Sequence, residues 1–184
     1  MAGSCYDHPQ YWDLAFRDET RLEADFVDAV AAKYCTFPVK GVLEPGCGGG
    51  RLVVELASRG YRVTGFDLSL PSINYLGRRL KRRGLKARVF HGDMITQRLD
   101  TPVDLAICPM NTFRHLLTEG DARNHLESIA GSLRRGGIYV LGLQTGLAAF
   151  AFGALVAEAG LADGAVPLTL LVLGALVLLL SAGW

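Results

Sequence analysis

The sequence predicts an α/β fold with a doubly wound, Rossmann-like and mainly parallel sheet, on the strength of three observations. Short apolar segments alternate with helical segments between residues 39 and 143. These segments are apolar almost throughout, as strands covered on both faces are. A glycine-rich loop directly follows the first of them. Strands separated by helices pair in parallel through right-handed crossovers, and ligands of such sheets bind at the carboxyl ends of the strands.

The elements are expected in a regular order behind an N-terminal helix. Thr20 and Glu23 have the spacing of a capping box, and apolar residues then recur at helical spacing until Pro38 stops the helix. Beyond that helix, the pattern predicts further helices at residues 51–59, 71–83 and 121–135. It predicts strands at residues 39–43, 61–66, 87–91, 103–108 and 138–143.

Composition limits the classes of function that the chain can serve. Its 184 residues suffice for about one domain, since domains average roughly 150 residues. The 19 basic and 18 acidic residues give a net charge of +1, which argues against a general nucleic-acid-binding protein, so no nucleic-acid partner is expected. The cysteines lack the paired spacing of a metal site, and we therefore expect free thiols and no metal.

The loop after the first strand is rich in glycine and reads EPGCGGGR over residues 44–51. Glycine lets the backbone turn tightly and lets a ligand approach the main chain, and the helix that follows directs its free amides at the ligand. The dinucleotide fingerprint Gly-x-Gly-x-x-Gly would need a third glycine at position 51 or 53, where the sequence has Arg51 and Val53. The spacing therefore excludes the fingerprint of a nicotinamide enzyme.

The pattern that fits is an acidic residue followed by glycine at every second position, as Glu44, Gly46, Gly48 and Gly50. It resembles the first motif of class I methyltransferases, which use S-adenosylmethionine (SAM). The resemblance covers about residues 5–145 and is to the members that methylate small molecules. In that family the loop holds the methionine part of SAM. The resemblance thus implies that Glu44 lies near the cationic end of SAM and that Gly46 and Gly48 lie against the ligand.

Later segments are similar to further motifs of the same family and come in the family's order. The resemblance implies that Asp67, at the end of the second strand, binds both ribose hydroxyls. It implies that Asp93, after the third strand, binds the adenine amino group while Met94 covers the ring. Cys108 ends the fourth strand, where the family places the site of methyl transfer. The cofactor-binding set implied in this way is Glu44, Gly46, Cys47, Gly48, Gly50, Asp67, Leu68, Gly92, Asp93, Met94, Cys108 and Tyr11.

Methyl transfer depends on position more than on one catalytic group, because SAM brings the activated carbon. No catalytic residue is therefore assigned. Asn111 and His115 are the two candidates for orienting an acceptor or acting as a base, since residues four apart share one face of a helix. A structural role for both stays open. Residues 108–111 read CPMN rather than the Asn/Asp-Pro-Pro-aromatic motif of DNA-base and protein-amide methylators, so the expected acceptor is a small molecule.

Two other segments have alternative interpretations. Tyr11 and Trp12 could fold over the cofactor as a lid, or could pack as ordinary helix residues. The basic run at residues 78–88 could contact phosphates or an anionic membrane. That run contains no interleaved aromatic pattern, and a solvated helix face is the expected interpretation.

Charge almost disappears from the sequence at Gly146, beyond which only Glu158 and Asp163 are charged. We therefore expect a SAM-binding domain over residues 1–145 and an apolar tail over residues 146–184. No signal peptide is visible, and a SAM-dependent domain is expected to face the cytoplasm. The tail is the part of the sequence that the family does not explain.

Three interpretations of the tail stay open. In the first it is a membrane anchor, because residues 165–182 carry no charge and would, as a helix, nearly span the ~30 Å hydrocarbon core. Residues 147–162 would then be a weaker second span. In the second, the tail is the truncated or out-of-frame end of an enzyme. In the third it is a buried helix that completes the fold.

The family usually continues past its fifth strand with a helix and an antiparallel hairpin, and the sequence is expected to lack these last two strands. The resemblance implies a methyltransferase that transfers a methyl group from SAM to a small molecule. The rival interpretation is a non-catalytic or truncated SAM-binding remnant tethered to the membrane through residues 165–182.

Overall fold

The computed structural model describes residues 8–144 and 152–158, and the chain forms two compact units that divide after Met94. The first unit contains three parallel strands and four helices among its described residues. In chain order they are α1 (Pro9–Ala15), α2 (Thr20–Tyr34), β1 (Gly41–Pro45), α3 (Arg51–Ser58), β2 (Arg62–Asp67), α4 (Leu70–Arg83) and β3 (Arg88–His91).

The strands of the first unit pair in the order β3-β2-β1, with Gly41 opposite Arg62 and Thr64 opposite Arg88. All of β1 is buried, as the mainly apolar sequence predicts for a strand covered on both faces. Helix α4 begins where Ser69 accepts a hydrogen bond from the amide of Ser72. It ends at Gly84 in the left-handed conformation.

The second unit contains two parallel strands, one antiparallel strand and two helical segments among its described residues. They are β4 (Val103–Cys108), a 3₁₀ helix (Thr112–His115), α5 (Glu119–Ser132), β5 (Leu133–Gln144) and β6 (Phe152–Glu158). Strand β4 pairs with β5 in parallel, and β6 pairs with β5 in the antiparallel sense. Helix α5 begins where Thr118 accepts a hydrogen bond from the amide of Asp121.

The predicted α/β class with parallel strands is confirmed in each unit, but three expected details are wrong. Helix α5 ends at Ser132 rather than at residue 135, because β5 already pairs with β4 from Leu133. The capping box is also wrong, since the N-cap of α2 is Glu19 and no side chain caps that helix.

The third wrong detail concerns the chain after β5. Residues 152–158, which the membrane-anchor interpretation places in a weaker second span, form β6, and Ile138 of β5 lies opposite Glu158. Strand β5 is therefore followed by a paired antiparallel strand in the second unit, and one of the two strands expected to be missing is present. Helix propensity is a weak prior, and pairing satisfies the backbone groups along the edge of β5. Residues 165–182 lie outside the described part of the chain.

None of the helices in the described ranges is long and apolar enough to cross a membrane.

Candidate functional site

The glycine-rich loop leaves β1 and enters α3 through three residues with positive φ: Gly46 at 65°, Gly48 at 51° and Gly50 at 69°. L-residues with a side chain rarely adopt this backbone. At Gly50 a Cβ would also collide with Leu76 of α4, so the loop packs tightly there. At Gly48 nothing lies within 4 Å of the position a Cβ would take, so the main chain is open to a ligand at this point.

Asp67 ties the end of β2 to the glycine-rich loop. Its Oδ2 accepts a hydrogen bond from the amide of Gly48 at 2.7 Å, and its Oδ1 accepts one from the amide of Ser69 at 2.7 Å. The amide of Gly92 donates to the Asp67 carbonyl at 3.1 Å, which brings the end of β3 to the same edge. Each carboxylate oxygen keeps a second lone pair, so Asp67 can accept further hydrogen bonds while holding the loop.

Glu44 is a buried carboxyl at the end of β1, only 5% exposed. Burial raises its pKa to about 8, and the charges of Glu23 and Asp67 add to this rise. The guanidinium of Arg51 and the amide of Val53 oppose it. Among the described residues, Oε2 of Glu44 has no hydrogen-bond partner. A buried polar atom without a partner is costly, so this oxygen has hydrogen-bonding capacity that the described residues do not use.

Cys47 lies within the loop but its side chain points into the protein. It is buried, and burial raises the pKa of its thiol well above the ordinary value. Its Sγ lies 3.0 Å from the place where a Cβ on Gly65 would stand, so the Cys47 side chain packs closely against β2. Cys47 therefore has the surroundings of a packing residue rather than of a nucleophile. Its side chain packs in the interior, and only its backbone is part of the loop surface.

Arg51, which excludes the dinucleotide fingerprint, binds two residues of α2. Its guanidinium donates to Oγ1 of Thr20 at 3.0 Å and to Oε2 of Glu23 at 2.6 Å. These are the residues predicted to form a capping box, and their side chains meet Arg51 instead. The arginine thus attaches α2 to the start of α3 and places a positive charge near Glu44.

Helix α1 is attached to the glycine-rich loop by polar contacts that the sequence did not reveal. Asp13 pairs with Arg79 at 2.8 Å and accepts a hydrogen bond from Tyr75 at 3.2 Å. Arg79 also donates to the carbonyl of Gly49 at 2.9 Å. Within the predicted basic run, Arg79 is thus an exception to the solvated face, since it is only 6% exposed. Arg79 lies three residues after Leu76 and one before Leu80, which places it on the buried face of α4. This helical spacing could have distinguished Arg79 from the exposed residues of the basic run.

The aromatic residues of α1 are largely exposed beside these contacts. Tyr11 is 65% exposed and Trp12 is 41% exposed, with the Trp12 ring stacked on Phe16 at 5.5 Å. Leu68, which follows β2, is 66% exposed, and Asp93 and Met94 after β3 are half-buried. In the first unit, β1, β2 and β3 thus present the predicted cofactor residues at their carboxyl ends.

In the second unit, Cys108 at the end of β4 is fully buried. Met110 and Asn111 follow with φ near 60°, a left-handed backbone that is uncommon for residues with side chains. Asn111 therefore precedes the 3₁₀ helix, whereas His115 ends it and is exposed. The sequence predicts a shared face for these two side chains only in a helix that contains both, and the 3₁₀ helix begins after Asn111.

A buried polar pair that the sequence did not reveal lies in the second unit. Nε2 of His125 on α5 is 2.7 Å from the hydroxyl of Tyr139 on β5, and both residues are almost fully buried. The pKa of Tyr139 is raised by burial and by its contact with Cys108. The His125 ring also meets the edge of Phe113 in the 3₁₀ helix at 5.5 Å. These contacts connect the segment after β4 to α5 and β5.

Comparison with known proteins identifies this arrangement. The family described as "Methyltransferase domain" matches residues 42–137, from within β1 into β5. The chain belongs to this family. A curated Geobacillus protein named as a methyltransferase is 25% identical over 142 residues, covering 76% of this chain and 58% of its own length. The methyltransferase domain described here thus spans somewhat more than half of that relative.

Solved structures of methyltransferases share the fold. A SAM-dependent methyltransferase from Clostridium acetobutylicum superposes with a TM-score of 0.67 at 19% identity, covering 76% of this chain and 58% of that one. A glycopeptide N-methyltransferase in complex with SAM gives a TM-score of 0.56 at 25% identity, covering 65% of this chain and 49% of that one. The predicted family and fold class are confirmed, while the roles of individual site residues stay predictions.

Proposed function

We propose that the chain binds SAM at the edge of the first unit and transfers its methyl group to a small molecule. The observation that carries the proposal is the buried Glu44 oxygen, which has no hydrogen-bond partner among the described residues. Four residues further along the same loop, the main chain at Gly48 has open space beside it. A ligand that brings a cationic amine and lies against a glycine backbone meets both requirements. The family membership of the chain supports the same cofactor.

Each residue of the proposed site would contact a different part of SAM. Glu44 would face the ammonium group of the methionine part, Gly46 and Gly48 would border that part, and Cys47 would contribute its backbone. Asp67 already holds the loop through the amide of Gly48, and its remaining lone pairs would accept the ribose hydroxyls. Hydrogen bonds to a charged acceptor contribute about 1.5–3 kcal/mol each.

The adenine end would lie beyond the ribose. Asp93 would accept from the adenine amino group, and Met94 and the exposed Leu68 would cover the ring. When bound, SAM supplies the activated methyl group, and the chain's own residues supply orientation. We assign Tyr11 to the rim of the site as a proposal of the same kind, together with Gly50 and Gly92 as backbone positions. Cys108 stays an expectation from the family resemblance, and its side chain is fully buried at the end of β4.

The acceptor is proposed to be a small molecule methylated on nitrogen, oxygen or carbon. The relatives include a glycopeptide N-methyltransferase and a ubiquinone biosynthesis O-methyltransferase, so the family uses more than one acceptor atom. Asn111 and His115 remain the candidates for contact with the acceptor, and each is proposed on its own rather than as part of one helical face. We propose that this reaction takes place in the cytoplasm.

Isothermal titration of the full chain with SAM tests the cofactor proposal. We expect micromolar binding, at least tenfold weaker in Asp67→Asn and in Glu44→Gln. Asp100→Asn is the matched control, because Asp100 is exposed and belongs to the second unit. Absence of SAM binding by folded wild-type protein would overturn the proposal.

The second candidate function is a SAM-binding remnant without turnover, associated with a membrane through residues 165–182. Its motivation is the uncharged sequence of that segment. It predicts SAM binding without release of S-adenosylhomocysteine across a panel of amine, phenol and thiol acceptors, together with pelleting that resists carbonate extraction. Turnover of any acceptor by protein that stays in the supernatant would favour the enzyme.

A further inference from the structure

A chain of three polar contacts joins helix α1 to the main chain of the glycine-rich loop. Asp13 on α1 pairs with Arg79 on α4 at 2.8 Å, and Arg79 donates to the carbonyl of Gly49 at 2.9 Å. Tyr75, one turn before Arg79, donates to the second oxygen of Asp13 at 3.2 Å. The side chains of Arg79 and Asp13 are only 7% and 11% exposed.

These contacts fix one peptide group of the loop from both sides. The Gly49 carbonyl accepts from Arg79, while the amide of Gly50 in the same peptide donates to the Cys47 carbonyl at 2.9 Å. The loop has little rigidity of its own, because glycine is the residue with the greatest backbone freedom. The bond from Arg79 therefore adds a charged donor on a neighbouring helix to the Gly50–Cys47 bond that holds this peptide within the loop.

The same contacts hold α1 against the glycine-rich loop. At Gly49, a Cβ would stand 3.3 Å from Pro9 of α1 and 3.3 Å from Tyr75 of α4. A side chain at Gly49 would push Pro9 and Tyr75 aside by a few tenths of an ångström, although the φ of Gly49 is not positive. Helix α1 has only seven residues and largely exposed aromatic side chains, so Asp13 is its main polar attachment among the contacts described.

We propose that Arg79 and Asp13 are positioning residues for SAM: Arg79 holds the Gly49–Gly50 peptide in the conformation that binds the cofactor, and Asp13 holds both Arg79 and α1 in place. The inference rests on the proposed function and adds residues that the glycine motif does not contain. Preorganising a binding loop raises affinity because less conformational entropy is lost on binding. Removing the guanidinium should therefore weaken SAM binding even where the protein stays folded.

The test compares Arg79→Met with Arg78→Met, the same chemical change at the neighbouring and exposed position of α4. Titration with SAM is carried out at a temperature where circular dichroism shows each variant folded. We expect SAM to bind at least tenfold more weakly to Arg79→Met and equally well to Arg78→Met. Arg79→Lys should be intermediate, because one ammonium reproduces the charge but not the two-sided geometry of the guanidinium.

Asp13→Asn keeps the bond from Arg79 to Gly49 and removes the ion pair. We expect a loss of two- to fivefold in SAM affinity, and the double variant with Arg79→Met should bind no worse than Arg79→Met alone. Such non-additivity is the signature of residues that act through one another.

Hydrogen exchange without any cofactor separates this inference from the proposed function. Amides of residues 46–54 should exchange faster in Arg79→Met than in wild type and Arg78→Met, whether or not the chain binds SAM. Failure of wild type to bind SAM would overturn the proposed function. Unchanged exchange in folded Arg79→Met, or SAM affinity within twofold of wild type, would overturn the positioning role.

Discussion

The carboxylate of Asp67 holds the amide of Gly48 at 2.7 Å, so the end of β2 determines the shape of the loop that leaves β1. The second oxygen of Asp67 accepts from Ser69, the residue that caps helix α4. One side chain thus connects the loop, the second strand and the next helix. An acid at this position serves the protein's own structure as well as any ligand.

Asp67→Asn should weaken both the loop and the cofactor site. The amides of Gly48 and Ser69 donate to different oxygens of Asp67, and in asparagine one of these positions becomes an NH2 group that cannot accept. We expect a stability loss of about 1–2 kcal/mol, measured by urea denaturation at neutral pH. Asp100→Asn, exposed and distant in sequence, should be within about 0.5 kcal/mol of wild type. Equal stability of Asp67→Asn and wild type would contradict the two hydrogen bonds.

Glu44 should make stability fall as pH rises. In the unfolded chain the carboxyl titrates near 4.5, whereas its pKa in the folded protein is about 8. Between these values the folded state keeps a proton that the unfolded state has lost. The free energy of unfolding therefore decreases with pH, by at most about 1.4 kcal/mol per pH unit. Denaturation of Glu44→Gln between pH 5.5 and 8.5 should give a flatter slope, and identical slopes would rule out the raised pKa.

The same carboxyl should make SAM binding depend on pH in the opposite sense. A cationic amine favours the ionised form of Glu44, so binding releases the proton that the free protein holds below about pH 8. We expect the ratio of the Glu44→Gln and wild-type dissociation constants to rise between pH 6 and pH 8. The ratio removes the ligand's own titration from the comparison. A ratio that does not change with pH would place the amine elsewhere.

The alternation of strands and helices was predictable from sequence because parallel strands buried on both faces are apolar throughout. The glycine spacing was predictable for a different reason, since positive φ at Gly46, Gly48 and Gly50 selects glycine whatever surrounds it. The strand at residues 152–158 was not predictable, because its sequence suits a helix equally well and its partner β5 decides its conformation.

The polar contacts that hold the candidate site in place could not be predicted from the sequence, for a similar reason. Arg79 looks like its neighbours in a basic run, and only the packing of α1 gives it Asp13 and the Gly49 carbonyl as partners. Thr20 and Glu23 have a capping-box spacing, but Arg51 offers both side chains a charged donor. Sequence periodicity reports which face of a helix is buried, and it does not report which polar groups meet there.

Tyr139→Phe should destabilise the second unit. The hydroxyl lies 2.7 Å from Nε2 of His125, and both groups are buried, so its removal leaves the imidazole without this partner. The expected loss is about 1–3 kcal/mol, which is the cost of an unsatisfied buried polar group. Tyr61→Phe is a control on a half-buried tyrosine that donates to Asp28. It should cost only about 1 kcal/mol, because the Asp28 side chain is 42% exposed to water and keeps Arg59 as a partner. A smaller loss for Tyr139→Phe than for Tyr61→Phe would contradict the importance of the buried pair.

Gly50→Ala should be more harmful than Gly60→Ala, although both glycines have positive φ. At Gly60 a methyl group meets nothing within 4 Å, so the cost is the backbone strain alone, about 1 kcal/mol. At Gly50 the methyl group collides with Leu76, and the collision adds roughly 1–3 kcal/mol. Thermal denaturation measures both losses.

The collision at Gly50 can be separated from strain by a second substitution. Leu76→Ala alone should cost about 2–5 kcal/mol because it leaves a cavity in the core. The double variant Gly50→Ala/Leu76→Ala should lose less stability than the sum of the two single losses, since the smaller side chain makes room for the methyl group. Full additivity would mean that strain alone explains Gly50, and that the close approach of α4 does not constrain the loop.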